Sequence, residues 1–401
     1  MRLVSFCCFL LILLGCEQPS PDSSNAETEQ ATRTAKLIEL RSVCKNDKLT
    51  GTDRAKACIA EVKLARWHTL NLINMQLDTI PPEVFELDFL SELHLARNNL
   101  SDLPDGLLKL TELKTLSLTA NKFTTVPKKI FALPKLNNLL LDRNQITSFE
   151  VSHKTDSLPA LKSLWQVALS DNQLSEFPQL LCQLQKIEHI SLANNQITQL
   201  PDEIGNLTTL TNLNVRTNKL TILPESIGQL VSLKVFIAAD NKLTQLPDSF
   251  GQLSQLTTLA LGINQLQRLP ENFGQLNSLQ VLLLGGNHLT SLPNSMAKLG
   301  SLKEFELSIN PFQAFPQVVT KITSLEELHY GAVKTHALPD TLKNLTKLKH
   351  LELPFQTYTD IPGVVFELQN LKIFMMGKLH GADRLPQDQV TRLQSRGVTI
   401  Y

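Results

Sequence analysis

A 23-residue period constrains the fold of this chain more than any other feature of its sequence. From Ile187 the residues run Ile187-x-x-Ile190-x-Leu192-x-x-Asn195-x-Ile197-x-x-Leu200-Pro201-x-x-Ile204-Gly205-x-Leu207, and the pattern restarts at Leu210, Leu233, Leu256, Leu279 and Leu302. Counting back gives Leu164, Leu136, Leu113, Leu90 and Trp67; counting forward gives Leu325, Leu348 and Leu371. Fourteen units therefore occupy residues 67–386. A fixed period of this length marks stacked repeats, so a single elongated solenoid is expected in place of the two or three globular domains that 401 residues could hold. One step differs: Leu136 to Leu164 is 28 residues, with the extra five in Glu150–Ser163, where Glu150 replaces the usual Pro. A bulge of the edge or convex side is expected there, not a domain boundary.

The residue types within one unit follow from its geometry. In L-x-x-L-x-L the last two leucines alternate with single residues, which is strand spacing. They should point inward, with the intervening residues facing solvent on a concave sheet. An asparagine follows each strand, and Asn98, Asn121, Asn144, Asn172, Asn195, Asn218, Asn241, Asn264, Asn287 and Asn310 form an unbroken column. An amide side chain carries both donors and an acceptor, so it can satisfy backbone groups that the following turn would bury unpaired. The column is thus structural. The Leu-Pro pairs impose extended backbone after the turn, and the short I-G-x-L or F-G-x-L segments leave room only for an irregular or 3₁₀-like convex side. The asparagine position decays to Val333, Gln356 and Leu379 in the last units. Residues 387–401 then read as a C-terminal cap: a short helix, a break at Gly397 and a closing strand.

The L-x-x-L-x-L-x-x-N-x-L core with the L-P-x-x-I-G-x-L half resembles the leucine-rich-repeat family, in its bacterial 23-residue form. The resemblance covers roughly four-fifths of the chain and implies an α/β solenoid: a horseshoe with a parallel concave sheet, capped at both ends. Such a fold implies binding in general and names no ligand.

The start of the chain carries different signals. Arg2, the apolar run Val4–Leu14 and the small residue Gly15 have the three parts of an export signal, and the run is too short to span a bilayer. Leu13-Leu14-Gly15-Cys16 resembles a bacterial lipobox, which implies a signal peptide over residues 1–15 and a lipid anchor on Cys16. Residues 16–36 are polar, without apolar period, and read as a disordered tether. Residues 37–66 show helix-like spacing in two pieces around Lys48–Asp53 and read as an N-terminal helical cap, which an exposed solenoid end requires. In an exported protein Cys44 and Cys58 read as a disulfide, stabilising the cap by about 3 kcal/mol. Cys182 sits between Leu181 and Leu184 as a small core residue.

Fourteen strands at ~4.8 Å spacing make an inner arc of roughly 60 Å, enough for a protein interface. Two zones stand out on it. Val235, Ile237, Ala239, Ala260, Gly262, Ile263, Val281, Leu283 and Gly285 should form an exposed apolar patch, the usual mark of a partner site. Glu304, Glu306, Glu327, His329, His350 and Glu352 should form a three-by-two grid whose carboxylates repel and seek cations. A basic partner segment is the first reading of the grid. A divalent metal is the second, since histidine and carboxylate ligate several metals. A solvated face offset by Lys303 and Lys349 is the third. Spacing alone argues for no metal or cofactor, because it is regular wherever the fold is regular.

Lys plus Arg and Asp plus Glu both number 38, so no global charge pulls the chain to nucleic acid or anionic lipid. G-x-S-x-G, P-loop and H-E-x-x-H motifs are absent; His68, His153 and His336 lie off the strand faces, and His94, His189, His288 and His380 have no evident partners. A non-enzymatic envelope lipoprotein that binds a protein, such as a host surface or matrix component, is therefore the leading expectation. The membrane would be engaged through the anchor at Cys16, with placement at the outer membrane and the cell surface. An envelope scaffold binding a partner on the same membrane comes second, and a metal-using enzyme third.

Overall fold

The computed structural model describes residues 21–46, 49, 51–149, 160–331, 337–353, 360–376 and 385–401. The chain is a solenoid of stacked repeats. Its strands are β1 (Thr69–Asn71), β2 (Glu92–His94), β3 (Thr115–Ser117), β4 (Asn138–Leu140), β5 (Gln166–Ala168), β6 (His189–Ser191), β7 (Asn212–Asn214) and β8 (Val235–Ile237). They continue through β9 (Thr258–Ala260), β10 (Val281–Leu283), β11 (Glu304–Glu306), β12 (Glu327–His329), β13 (His350–Glu352), β14 (Ile373–Met375) and β15 (Thr399–Ile400). All pair in parallel, in sequence order, within one open sheet. Each strand is short because only its central residue needs to enter the core; Leu213, Phe236, Leu259, Leu282 and Phe305 have no exposed surface.

The convex side is made of 3₁₀ turns, such as Asp202–Asn206 and Glu225–Gln229, each entered through an extended proline. The glycine in these turns permits close stacking. A Cβ on Gly274 would lie 1.9 Å from the Ser295 carbonyl oxygen of the next repeat. The five extra residues do not disturb the sheet: β4 pairs with β5 in register, Asn138 opposite Gln166. The Ile146 amide donates to Asn172 Oδ1 across the 28-residue step at 3.0 Å. Most of the insertion, residues 150–159, lies outside the described residues.

The asparagine column is buried throughout, at 3–8% exposure. Its bonds reach further than the turn. Asn218 Oδ1 accepts from the Ile197 amide at 3.0 Å, while Nδ2 donates to Leu192 and Val215 carbonyls at 2.9 and 3.0 Å. Each amide therefore ties its own turn to the preceding repeat. The column acts as inter-repeat stitching as well as local satisfaction, because residues 23 apart become neighbours only when the strands stack.

Two helices cover the N-terminal end: α1 (Pro21–Cys44) and α2 (Thr52–Ala65). The reading of residues 16–36 as a disordered tether is corrected from Pro21 onward; residues 16–20 lie outside the described residues. Glu29, Gln30, Ala31 and Ala35 are good helix formers, and the helix is held against its neighbour. The Arg33 guanidinium donates to the Leu64 carbonyl at 2.6 Å, and Arg41 pairs with the buried Glu61 at 3.1 Å. Cys44 and Cys58 are joined by a disulfide, their Cα atoms 4.8 Å apart. Gly51, at φ +81, starts α2 and donates its amide to the Met75 carbonyl of the first repeat at 2.7 Å. Trp67 does not fill the buried position that Leu90 and Leu113 occupy in their repeats. It is 42% exposed and lies under the Arg41 guanidinium of the cap. At the other end α3 (Gln387–Gln394) buries Val390 and Leu393, and Arg396 donates to the Phe366 and Leu368 carbonyls. Among the described residues no helix is long and apolar enough to cross a membrane. Cys16 lies outside them.

Candidate binding face on the concave sheet

The first and third residues of β1 to β14 face the inside of the curve, and parallel pairing lines them into two rows. One row runs Asn212, Val235, Thr258, Val281, Glu304, Glu327, His350. The other runs Asn214, Ile237, Ala260, Leu283, Glu306, His329, Glu352. The two zones read from the sequence are thus contiguous, with the apolar one ending at β10 and the ionisable one beginning at β11.

The apolar zone is narrower than its sequence pattern implies. Val235, Ile237, Val281 and Leu283 are half-buried, and so are Ala239 and Gly262 beyond the strand ends. Ala260 is a correction: it is 7% exposed, because its small side chain sits between the longer Ile237 and Leu283 on adjacent strands. Gly285 is buried too, because the Glu306 carboxylate lies over it; a Cβ there would meet Glu306 Oε2 at 2.0 Å.

Ile263 stands out at 62% exposure, on the rim of the groove. Its φ is +55, a left-handed conformation that a β-branched side chain rarely tolerates. The turn before each buried asparagine requires this geometry; Arg97, Asn194, Thr217 and Asp240 share it. Ile309 repeats the anomaly at φ +56 and 64% exposure, two units further on, across Gly286. The sequence reading missed Ile309. The signal was available: isoleucine directly before the column asparagine, where polar or small residues otherwise stand.

In the ionisable zone the histidines interleave with the carboxylates, so the expected mutual repulsion is largely relieved. His329 Nδ1 donates to Glu352 Oε2 at 2.9 Å, and this pairing holds the imidazole pKa above its ordinary value. His329 Nε2 and His350 Nδ1 each lie 3.8 Å from Glu327 Oε2. His350 Nε2 contacts the Met375 sulfur at 3.2 Å, and burial followed by the neighbouring His329 pushes the His350 pKa down. Glu306 accepts from the Ser308 amide at 2.8 Å, while its burial raises its pKa. Lys349 is held by Glu326, away from the grid.

Other histidines gain partners that the sequence did not suggest. His94 lies 3.5 Å from Glu92, His189 packs edge-on against Trp165, and His68 contacts the Phe89 carbonyl oxygen. His153, His336 and His380 lie outside the described residues, as do the decayed positions Val333, Gln356 and Leu379. Cys182 is buried, which pushes its thiol up to about 12 and leaves it no nucleophilic role near neutral pH. A hollow of about 230 Å³ lies over β5 to β8, lined by His189, Asn212, Asn214, Val235 and Ile237 among others. That is below the ~300–1,000 Å³ of a pocket that encloses a small ligand.

Comparison with known proteins agrees with the geometry. A leucine-rich-repeat region model matches residues 179–265 and 249–396, and a second leucine-rich-repeat model matches residues 88–146. A leucine-rich-repeat protein of Leptospira interrogans is similar at 28% identity and TM-score 0.67, over 83% of this chain and 95% of that one. An internalin of Listeria monocytogenes superposes with TM-score 0.69 at 20% identity, over 86% of this chain and 96% of that one. The Toll–Spätzle complex of Drosophila contains a chain that superposes with TM-score 0.67 at 20% identity, over 81% of this chain and 46% of that one. The last two similarities establish the fold alone. No curated protein matches the sequence significantly. The first model by itself spans residues 179–396, more than half of the chain, and the chain belongs to the leucine-rich-repeat family.

Proposed function

We propose that this protein is a non-enzymatic, lipid-anchored protein of the bacterial envelope that captures a protein partner on its concave face. The observation that carries the reading is the apolar stretch of β8 to β10, with Ile263 held strained and exposed at its rim, running directly into the Glu/His grid. Exposed apolar surface rimmed by polar groups is the usual form of a partner site. A partner segment with an apolar centre and a basic flank fits it. The anchor is assigned to Cys16 from the lipobox resemblance, and surface display is a further part of the proposal, which protease treatment tests.

Substituting Ile237→Lys and Leu283→Lys together tests the site. Both side chains point into the groove and neither fills the core, so the thermal midpoint should change little. Capture from host-cell extract and from the organism's own envelope should be lost. Capture retained by the folded double variant would refute the site. Protease treatment of intact cells separates the two partner classes: cleavage supports surface display, and protection supports a scaffold inside the envelope. Loss of acyl labelling in Cys16→Ser tests the anchor.

A further inference from the structure

We propose that Glu327, His329 and His350 form a binding site for a divalent transition-metal ion, zinc above all, on the concave face between β12 and β13. The donor atoms already converge: one ligand atom from each of Glu327, His329 and His350 lies within 4.8 Å of the others, and His329 Nε2 and His350 Nδ1 are each 3.8 Å from Glu327 Oε2. Two donors on one zinc, with bonds of ~2.0–2.1 Å in tetrahedral geometry, lie about 3.3–3.5 Å apart. The existing separations close by small side-chain rotations in an open groove.

The hydrogen bonding sets which nitrogens are free to ligate. A carboxylate only accepts, so His329 Nδ1 carries the proton it gives to Glu352 Oε2, and the lone pair of the neutral ring falls on Nε2. A thioether sulfur is at most an acceptor, so His350 Nε2 carries its proton toward Met375 and its lone pair falls on Nδ1. With both rings neutral, the two nitrogen lone pairs and the Glu327 carboxylate face one place, where an ion can bridge them. A carboxylate behind a ligating imidazole is the usual support of a zinc histidine, and Glu352 supplies it here. The rings meet edge to face with centroids 4.8 Å apart, which lets both reach a common point from adjacent strands. Two imidazoles and one carboxylate suit zinc better than magnesium or calcium, which prefer oxygen donors. The site uses residues of the ionisable flank of the proposed partner face, but its test needs no partner.

The test is zinc titration of the purified full chain, stripped with chelator and dialysed, followed by calorimetry. Cobalt substitution gives a second readout, through the visible bands of a tetrahedral ion. One equivalent should bind saturably. Glu352→Gln should weaken binding by about 10–100-fold, and His350→Ala or Glu327→Gln by more than that. Glu92→Gln, on β2 and far outside the donor set, should leave affinity unchanged. Metal-free thermal melts establish that each variant folds; should His350→Ala fail, His350→Gln replaces it. Absence of saturable zinc binding by the unaltered chain would overturn the proposal, as would affinity unchanged by both His350→Ala and Glu327→Gln.

Discussion

Removing one amide from the middle of the asparagine column makes a quantitative test of how the repeats are held together. In Asn218→Ala the Ile197 amide loses its acceptor inside the core. The two carbonyls nearest Asn218 Nδ2 fare better, since Leu192 still receives Asn195 Nδ2 at 3.0 Å and Val215 still receives Asn241 Nδ2 at 3.0 Å. One orphaned buried amide costs ~1–3 kcal/mol, and two redundant bonds add ~0.5 kcal/mol each, so the loss should be about 2–4 kcal/mol. Urea denaturation measures it. Because repeat arrays need not unfold in one step, hydrogen exchange across β6 and β7 should locate the effect, with faster exchange there than at β2 or β13. Asn218→Asp separates the two functions of the amide. It keeps the acceptor for Ile197 but sets a carboxylate against two carbonyls. It should be at least as destabilising as alanine at neutral pH and should recover on acidification, when the protonated acid regains a donor. A loss below about 0.5 kcal/mol for Asn218→Ala, the range of ordinary surface changes, would refute the stitching argument.

Further outcomes follow from other parts of the molecule. Ile263→Asn places a residue that tolerates φ near +55 in a position now held by a β-branched side chain. It should stabilise the protein by about 1 kcal/mol in a thermal melt, and a lowered melting point would show that the isoleucine is not strained. Burial holds the Asp142 carboxyl above its usual range, and Asp142 accepts from the Ser170 amide at 2.8 Å. The folded state therefore binds the proton more tightly than the unfolded state, and the penalty of the charged form is present above the folded pKa. Asp142→Asn keeps the acceptor, so it should stabilise at neutral pH, with a gain that fades as pH falls through that pKa; a pH-independent difference would contradict this. Reduction, or Cys58→Ala, should cost the cap about 3 kcal/mol. It should loosen α1 from α2 with little effect on exchange in the central repeats, since α2 packs on β1 and the first 3₁₀ turn at the end of the stack.

Much of the architecture is legible in residue spacing because every repeat solves the same problem. A leucine two positions from the last, followed by a buried amide, admits one strand orientation and one face for the core. Repetition turns that local answer into a parallel sheet. The cap was harder to read. Its first helix has few apolar positions, and it persists back to Pro21 because Arg33, Arg41 and the disulfide hold it to α2. Those contacts join residues 14 to 31 positions apart and leave no periodic trace.

The period alone determined that Ile237, Leu283, His329 and Glu352 share one concave surface, since alternation along a strand dictates which side chains leave the core. The stacked structure decided what that surface is. Ala260 disappears between its longer neighbours, Glu306 settles over Gly285, and Glu352 turns His329 so that its second nitrogen faces the carboxylate shared with His350. These outcomes depend on rotamers and side-chain lengths across strands 23 residues apart. A one-dimensional pattern carries register, and only packing in three dimensions carries contact.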